Sequence, residues 1–550
     1  MEFESVSFSQ LGATPLYGDY INGNPELRSF FGKSDPFNPE SFSRFVSGRF
    51  GSVKRNQLAD FLVSYNKQFA ACRNTIEAAE SLRSKDVFTV VTGQQLCFLG
   101  GPGYSFYKTL TVIALSRSLK AATKLSIVPV FWMADEDHDY DEIDHVWLPD
   151  FRKDGIIQKF SLPKNRLKGH AAAFLKLDHA DEILSEINQA AEPGSAYASD
   201  LHRLHKSWQT GRPWVQAFGE LMLRVFGKYG LILAGSNHAD VKKLCRPVFE
   251  TVLVKQPELT QIVSDTSAKL AGKWHAQVTV TDSLLFWHHP EKGRLKIPYL
   301  ESGWMFPDEA SPRTFTRESV RQAGDDFFAK LSPNALLRPV IQQYLLPNLA
   351  YTGGAAEIAY HAQLKAFFEA FELDLPIILP RFSATVIEPE IRKSMAHMPF
   401  SFTDYKKRED DLAHELVQVQ LRESGNKLPD EVLKEWKNRN KHLFESYFRS
   451  FVNTGSSLET SLKSTLSRME KNAEQFASKV IREKKKQDRL AIKRISNVRS
   501  ALFPGGLLQE RVTGWAFFYA LYGDSFLEAL VEELSTDTLE KIRHHHIIYV

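Results

Sequence analysis

The segment from residue 87 to residue 134 constrains the fold most. The β-branched run VFTVVT at 87–92 leads into a glycine-rich turn, GGPG at 100–103. From Ser105 to Lys120, Phe106, Leu110, Ile113, Ala114 and Leu119 recur at helical spacing, and a second apolar run, SIVPVFWMA, covers 126–134. Strand, turn, helix and strand in that order open a parallel α/β sheet. YGLILAG at 229–235, with a helix following to about residue 250, and LDLPIILPR at 373–381 supply further strands of the same kind.

Material of another character separates these units. Residues 151–205 are polar with a helical pattern, and 275–300 form a β-hairpin with Lys-Gly in its turn. Later, Leu462, Leu466, Met469, Ala473, Phe476 and Val480 recur at spacings of 4, 3, 4, 3 and 4, and Leu490 and Asn497 keep the register. That spacing predicts a long helix with a coiled-coil seam. A charged helix at 428–450, presenting Val432, Trp436, Leu443 and Tyr447, makes an antiparallel hairpin the natural partner.

Charge and cysteine usage exclude several classes. The net charge is +3, from 69 basic and 66 acidic residues, which gives no long-range pull toward nucleic acid or an anionic membrane. Three cysteines, Cys72, Cys97 and Cys245, lie far apart, so neither a disulfide framework nor a structural zinc is expected. No apolar run reaches membrane-spanning length, and MEFESVSFSQLG is not a signal peptide, so the expected location is cytoplasmic.

The turn at 93–103 does not fit a Walker loop, because Tyr107 precedes Lys108 and Pro102 stands where the first glycine belongs. It does not fit a dinucleotide fingerprint either. What remains is a strand-to-helix turn whose glycines, Gly93, Gly100, Gly101 and Gly103, let an anionic ligand approach backbone amides. Gln94 and Gln95 add hydrogen bonds, and Lys108 adds a charge.

After the second strand, ADEDHDYDEIDH at 134–145 gathers seven carboxylates and two histidines. It starts at the carboxyl end of a parallel strand, where open α/β sheets bind ligands. Asp135, Glu136, Asp137 and His138 are candidates to orient a substrate amine, take its proton or hold a metal ion. The spacing of His138 and His145 is no zinc pattern. In the stretch 331–364, Arg338 sits among apolar residues and must meet a carboxylate, internal or belonging to a ligand. Tyr351 and Glu357 flank a second flexible turn, and Arg511 follows a Pro-Gly turn near the chain end. Cys97 reads as a buried small hydrophobe rather than a nucleophile.

Taken in order, VTGQQLCFLGGPGYSFYKTLTVIAL, VPVFWMADEDHDYDEIDH, LSPNALLRPVIQQYLLPNLAY, GGAAEIAYHAQLKAFFE, LPRFSATVIE and LFPGGLLQER resemble the landmarks of the bacillithiol-biosynthesis cysteine ligases. The resemblance covers nearly the whole chain. It departs at Gly354-Ala355-Ala356-Glu357, where the family commonly has Gly-Pro-Gly-Glu, and at Asp135, where it commonly has glycine. It implies a Rossmann-like core related to nucleotidylyl transferases, with connecting insertions and an antiparallel coiled-coil arm used in homodimers. On that plan the core takes 1–150, 206–260, 330–395 and 500–550. A helical insertion takes 151–205, a β-containing one 261–329, and the arm 396–499.

The implied reaction joins L-cysteine to the glucosamine amine of glucosaminyl-malate, the last step of bacillithiol formation, with ATP or another nucleotide and magnesium as the expected helpers. The expected chemical residues are His138, Asp137 and Glu136. Gln94, Gln95, Lys108, Arg338, Tyr351, Glu357 and Arg511 are expected on substrate, and Gly93, Gly100, Gly101 and Gly103 on a cofactor. Two other readings stay open, a nucleotide-binding assembly module without catalysis and a carboxylate-dependent hydrolase.

Overall fold

The computed structural model describes all 550 residues except 33, 154, 165–168, 192–195, 282, 302, 308 and 453–455, with backbone alone at 196–199, 447–452 and 456–457. Two compact units emerge. One comprises Phe3–Thr385 with Glu510–Ile547, the other Val386–Gln509 with Met1–Glu2 and Ile548–Val550.

The larger unit is built on five parallel strands, β1 (Val87–Gln94), β2 (Ser126–Met133), β3 (Ile232–Gly235), β4 (Asn348–Gly353) and β5 (Ile377–Pro380), in the order β5-β4-β1-β2-β3. This is the order of a Rossmann-like sheet. Seven of the eight β1 residues are fully buried, as expected of a strand covered on both faces, which is why it reads as an apolar run without alternation. Helix α1 (Gly103–Thr123) carries the chain from β1 to β2 and is buried almost all round over its first four turns. Trp132, Phe131 and Phe218 are among the larger unit's fully buried large side chains, each contributing about 1.5–3 kcal/mol of burial.

Four of the five strands coincide with apolar runs in the sequence. The fourth, β4, does not. NLAYTG is short, opens after Pro347, and carries the buried polar residues Asn348 and Thr352, so no period-2 or β-branched signal marks it. The hairpin predicted near 275–300 forms from Leu285–His289 and Gly293–Lys296. A second hairpin, His145–Asp150 with Ile156–Ser161, has no counterpart in the sequence reading, and its turn spans the expected boundary at 150/151.

In the smaller unit, α2 (Glu409–Glu423), α3 (Pro429–Val452), α4 (Ser456–Gln487) and α5 (Arg489–Leu502) make up the helical arm. Lys437 on α3 meets Glu474 on α4 at 2.6 Å, and Trp436 shares an apolar groove with Ala473 and Phe476, so α3 and α4 run antiparallel. Val417, Leu421, Leu428 and Ile481 form a buried cluster in the arm. The single long helix splits at Asp488, and Leu490, expected to continue the seam, is 77% exposed. Phe476 is 68% exposed as well. The side chain of Tyr447 lies outside the described residues.

Candidate active site at the switch point of the sheet

The strand order reverses direction between β1 and β4, since the chain proceeds from β1 outward to β2 and from β4 outward to β5. At such a point the helices following the two strands diverge and leave a crevice at the carboxyl ends. A cavity of about 380 Å³ occupies it. Gly93, Gln94 and Gln95 come from the end of β1, Asp137 and Glu142 from the loop after β2, Gly354 and Glu357 from the turn after β4, and Arg381 from just beyond β5. Arg338 and Arg511 complete its charged lining.

The floor is an internally satisfied network. Lys108, on the first turns of α1, is 3% exposed and donates to Gly93 O at 2.8 Å, Gln94 Oε1 at 2.8 Å and Glu357 Oε2 at 2.6 Å. An ammonium has three N–H donors, and all three are spent. Glu357 also accepts from the Tyr351 hydroxyl at 2.6 Å and from Gly354 N at 2.9 Å. Burial pushes the Glu357 carboxyl up, but the charge and hydrogen bonds of Lys108 with the Tyr351 and Gly354 donors hold it below its ordinary value. Burial lowers Lys108 in turn. Arg381 is bidentate to Glu510, at 2.6 and 2.8 Å, and donates to Phe382 O. Ser383 Oγ adds a hydrogen bond to Glu510 at 2.8 Å.

Above that floor the charges are not satisfied. Among the described residues, no hydrogen bond or ion pair reaches the guanidinium of Arg338 or of Arg511, and none reaches the carboxylate of Glu142. Asp137 is different. Gln95 and the backbone N–H of Asp139 donate to it; burial raises its carboxyl, and Arg338 and Arg294 then hold it below the usual range.

The acidic run is thus sorted by its surroundings. Asp135 Oδ1 accepts from Ser236 N at 2.9 Å, Ser236 Oγ at 2.6 Å and Asn237 N at 2.9 Å, and burial pushes it up to about 6. Glu136 turns into the protein and pairs with the buried Lys242, away from the cavity. Asp144 meets His145 at 2.8 Å. His138 does not line the cavity. Its Nδ1 accepts from Arg294 Nη1 at 3.2 Å, and Arg294 is fixed by Ser332 Oγ, Pro333 O and the Phe286 ring. A guanidinium can only donate, so the neutral His138 ring carries its proton on Nε2 and presents a donor there. Burial, then the Arg294 charge, lowers the His138 pKa.

The glycine turn is held by protein contacts. Gly100 N donates to Cys97 O, Gly101 N to Phe98 O and Gly103 N to Thr513 O. Gly100 and Gly101 have φ of +83° and +73°, and a Cβ on Gly100 would lie 2.0 Å from the Trp515 indole nitrogen. The N–H groups of these three glycines are therefore engaged, and what they admit closely is the return segment 510–515. At Gly93 it is the carbonyl that acts, accepting from Lys108.

Of the residues expected from sequence, the cavity gathers Gln94, Gln95, Lys108, Asp137, Arg338, Tyr351, Glu357, Arg511 and Gly93. It does not gather His138, Glu136, Gly100, Gly101 or Gly103. Sequence reasoning missed Arg381, Glu142, Arg294 and Tyr104. Arg381 had a usable signal, an arginine directly after an apolar parallel strand. Glu142 lay within the acidic run at 134–145 without being singled out, and Arg294 and Tyr104 had no signal. Among the described residues, no group of three or more His, Cys, Asp or Glu side chains is arranged to hold a metal ion, and no helix is long and apolar enough to cross a membrane.

Comparison with known proteins places this geometry in a family. The model of the bacillithiol biosynthesis BshC N-terminal Rossmann-like domain matches residues 1–382, and that of the BshC C-terminal coiled-coil domain matches 384–550. A protein of Koribacter versatilis named "Putative cysteine ligase BshC" is 30% identical over 542 residues, covering 95% of this chain and 96% of its own. Proteins of the same name from Geobacillus kaustophilus and Chloroherpeton thalassium are each 28% identical, covering 94% and 98% of this chain and 95% and 98% of their own. The chain belongs to the BshC family of bacillithiol biosynthesis.

Proposed function

We propose that this chain is a cysteine ligase, joining L-cysteine to the glucosamine amine of glucosaminyl-malate in the switch-point cavity. The observation that carries the reading is the pair of unpartnered guanidiniums, Arg338 and Arg511, above a floor whose own charges are already matched. Such a pair suits a ligand with two carboxylates, and a malate group has two.

Amide formation from a free carboxylate needs an activated acyl group, because hydroxide leaves poorly. ATP or another nucleotide would supply that activation, by phosphoryl transfer to the cysteine carboxyl with the nucleoside diphosphate leaving or by adenylyl transfer with pyrophosphate leaving, and magnesium would screen the phosphates. The sugar nitrogen then forms the C–N bond, the C–O bond to the phosphate or nucleotide breaks, and the amine gives up a proton. Asp137, ionised and at the cavity wall, is the acceptor this reading favours. Lys108, Glu357 and Tyr351 hold the wall and Gln94 in place.

The test is amide product followed by mass spectrometry with cysteine, glucosaminyl-malate, ATP and magnesium. Arg338→Ala is expected to lower kcat/KM by about a hundredfold, on the scale of a lost charge-assisted contact of ~3 kcal/mol. Unchanged turnover in that variant sinks the assignment of the cavity.

A further inference from the structure

We infer that Glu142 is the ammonium-binding residue of this cavity, and that its ligand is an amine-bearing dicarboxylate rather than a plain one. The inference deepens the proposed function and rests on it.

Two other carboxylates, Glu357 and Asp137, line the cavity, Glu510 stands behind it and Glu136 precedes Asp137 in sequence, and each of these four is already occupied. Glu357 is taken by Lys108, Tyr351 and Gly354 N. Glu510 is taken by Arg381 and Ser383. Asp137 accepts from Gln95 and from the backbone N–H of Asp139. Glu136 is paired with Lys242. Glu142 alone of these has no partner, yet it lines the same space as Arg338 and Arg511.

Its backbone is fixed. Glu142 sits on the single turn Tyr140–Ile143, where Ile143 is buried and the Tyr140 hydroxyl donates to Pro163 O at 2.9 Å. The Cys97 thiol donates to the Glu142 carbonyl at 3.7 Å. Glu142, Arg511 and Tyr104 line the same cavity, so the two opposite charges face a common space. Two unpartnered cations and one unpartnered anion are the complement of a molecule with two carboxylates and one ammonium. A carboxylate facing Arg338 and Arg511 without such a ligand would instead repel a plain dicarboxylate.

Calorimetric binding of glucosaminyl-malate and of its N-acetyl derivative to the full chain and to Glu142→Gln separates the cases. The side chain is exposed, so the isosteric change leaves folding intact. The expected result is a preference of about tenfold or more for the free amine in the native protein, falling to within about threefold in Glu142→Gln while the N-acetyl ligand still binds. A preference that persists in Glu142→Gln overturns the Glu142 assignment and leaves the proposed function standing. Failure of the native protein to bind either ligand overturns both.

Discussion

Lys108 shows how much a single side chain depends on partners the sequence keeps far away. Its neighbours in sequence suggest either a surface lysine or a ligand contact. It is buried rather than on the surface, with Gly93, Gln94 and Glu357 taking up its three donors, and Glu357 lies about 250 positions downstream. Removing one member of such a buried pair typically costs about 3–5 kcal/mol, which makes Lys108 an organiser of the wall. His138 is a second case. The residue was legible as a candidate, but its tautomer was not, since Arg294 approaches from the hairpin at 285–296, some 150 residues away. Replacing Arg294 with Gln removes the neighbouring positive charge while burial stays. The His138 pKa, lowered in the native protein, should therefore rise part of the way toward its ordinary value, and the ring should protonate at a higher pH. Titration of the His138 ring signal by NMR checks this; an unmoved titration would mean that burial alone sets it.

At the scale of elements, β1, β2, β3 and β5 were readable because strands covered on both faces must be apolar throughout. The strand β4 was hidden by its polar ends, and with it the neighbour that closes the cavity on one side. The glycine turn was found from sequence, but its reason lies in packing. Gly101 has φ of +73° and a Cβ there would meet the Cys97 Cβ at 2.5 Å, whereas Gly211, at +85°, has open space around it. Both substitutions to alanine carry the left-handed backbone cost of about 1–2 kcal/mol. Gly101→Ala adds a clash with a buried side chain, of about 1–3 kcal/mol more. Thermal unfolding should rank Gly101→Ala well below Gly211→Ala, and equal losses would show that the turn yields to accommodate the methyl group. On the arm, the 3-4 spacing located the long helix, while Asp488 ends it before Leu490, and Phe476 within it is exposed.

Across the molecule, the site is assembled from the ends of separate strands and a return segment, joined only because β1 pairs with both β2 and β4. Apolar runs mark the strands other than β4, but no spacing in the sequence states that residues 94, 137, 338, 357 and 511 share one space. The resemblance to a family ordered the landmarks, and the sheet supplies the physical reason they converge. A second cavity, of about 200 Å³, lies near the start of β5 and is lined by Tyr20, Arg28, Lys365 and Asp374 among others. The two cavities give the central claim a direct test, a crystal structure of the protein soaked with glucosaminyl-malate. The account predicts density between the carboxyl ends of β1 and β4, with the malate carboxylates on Arg338 and Arg511. A ligand seated in the cavity near Tyr20 and Lys365, with the switch point empty, would contradict it.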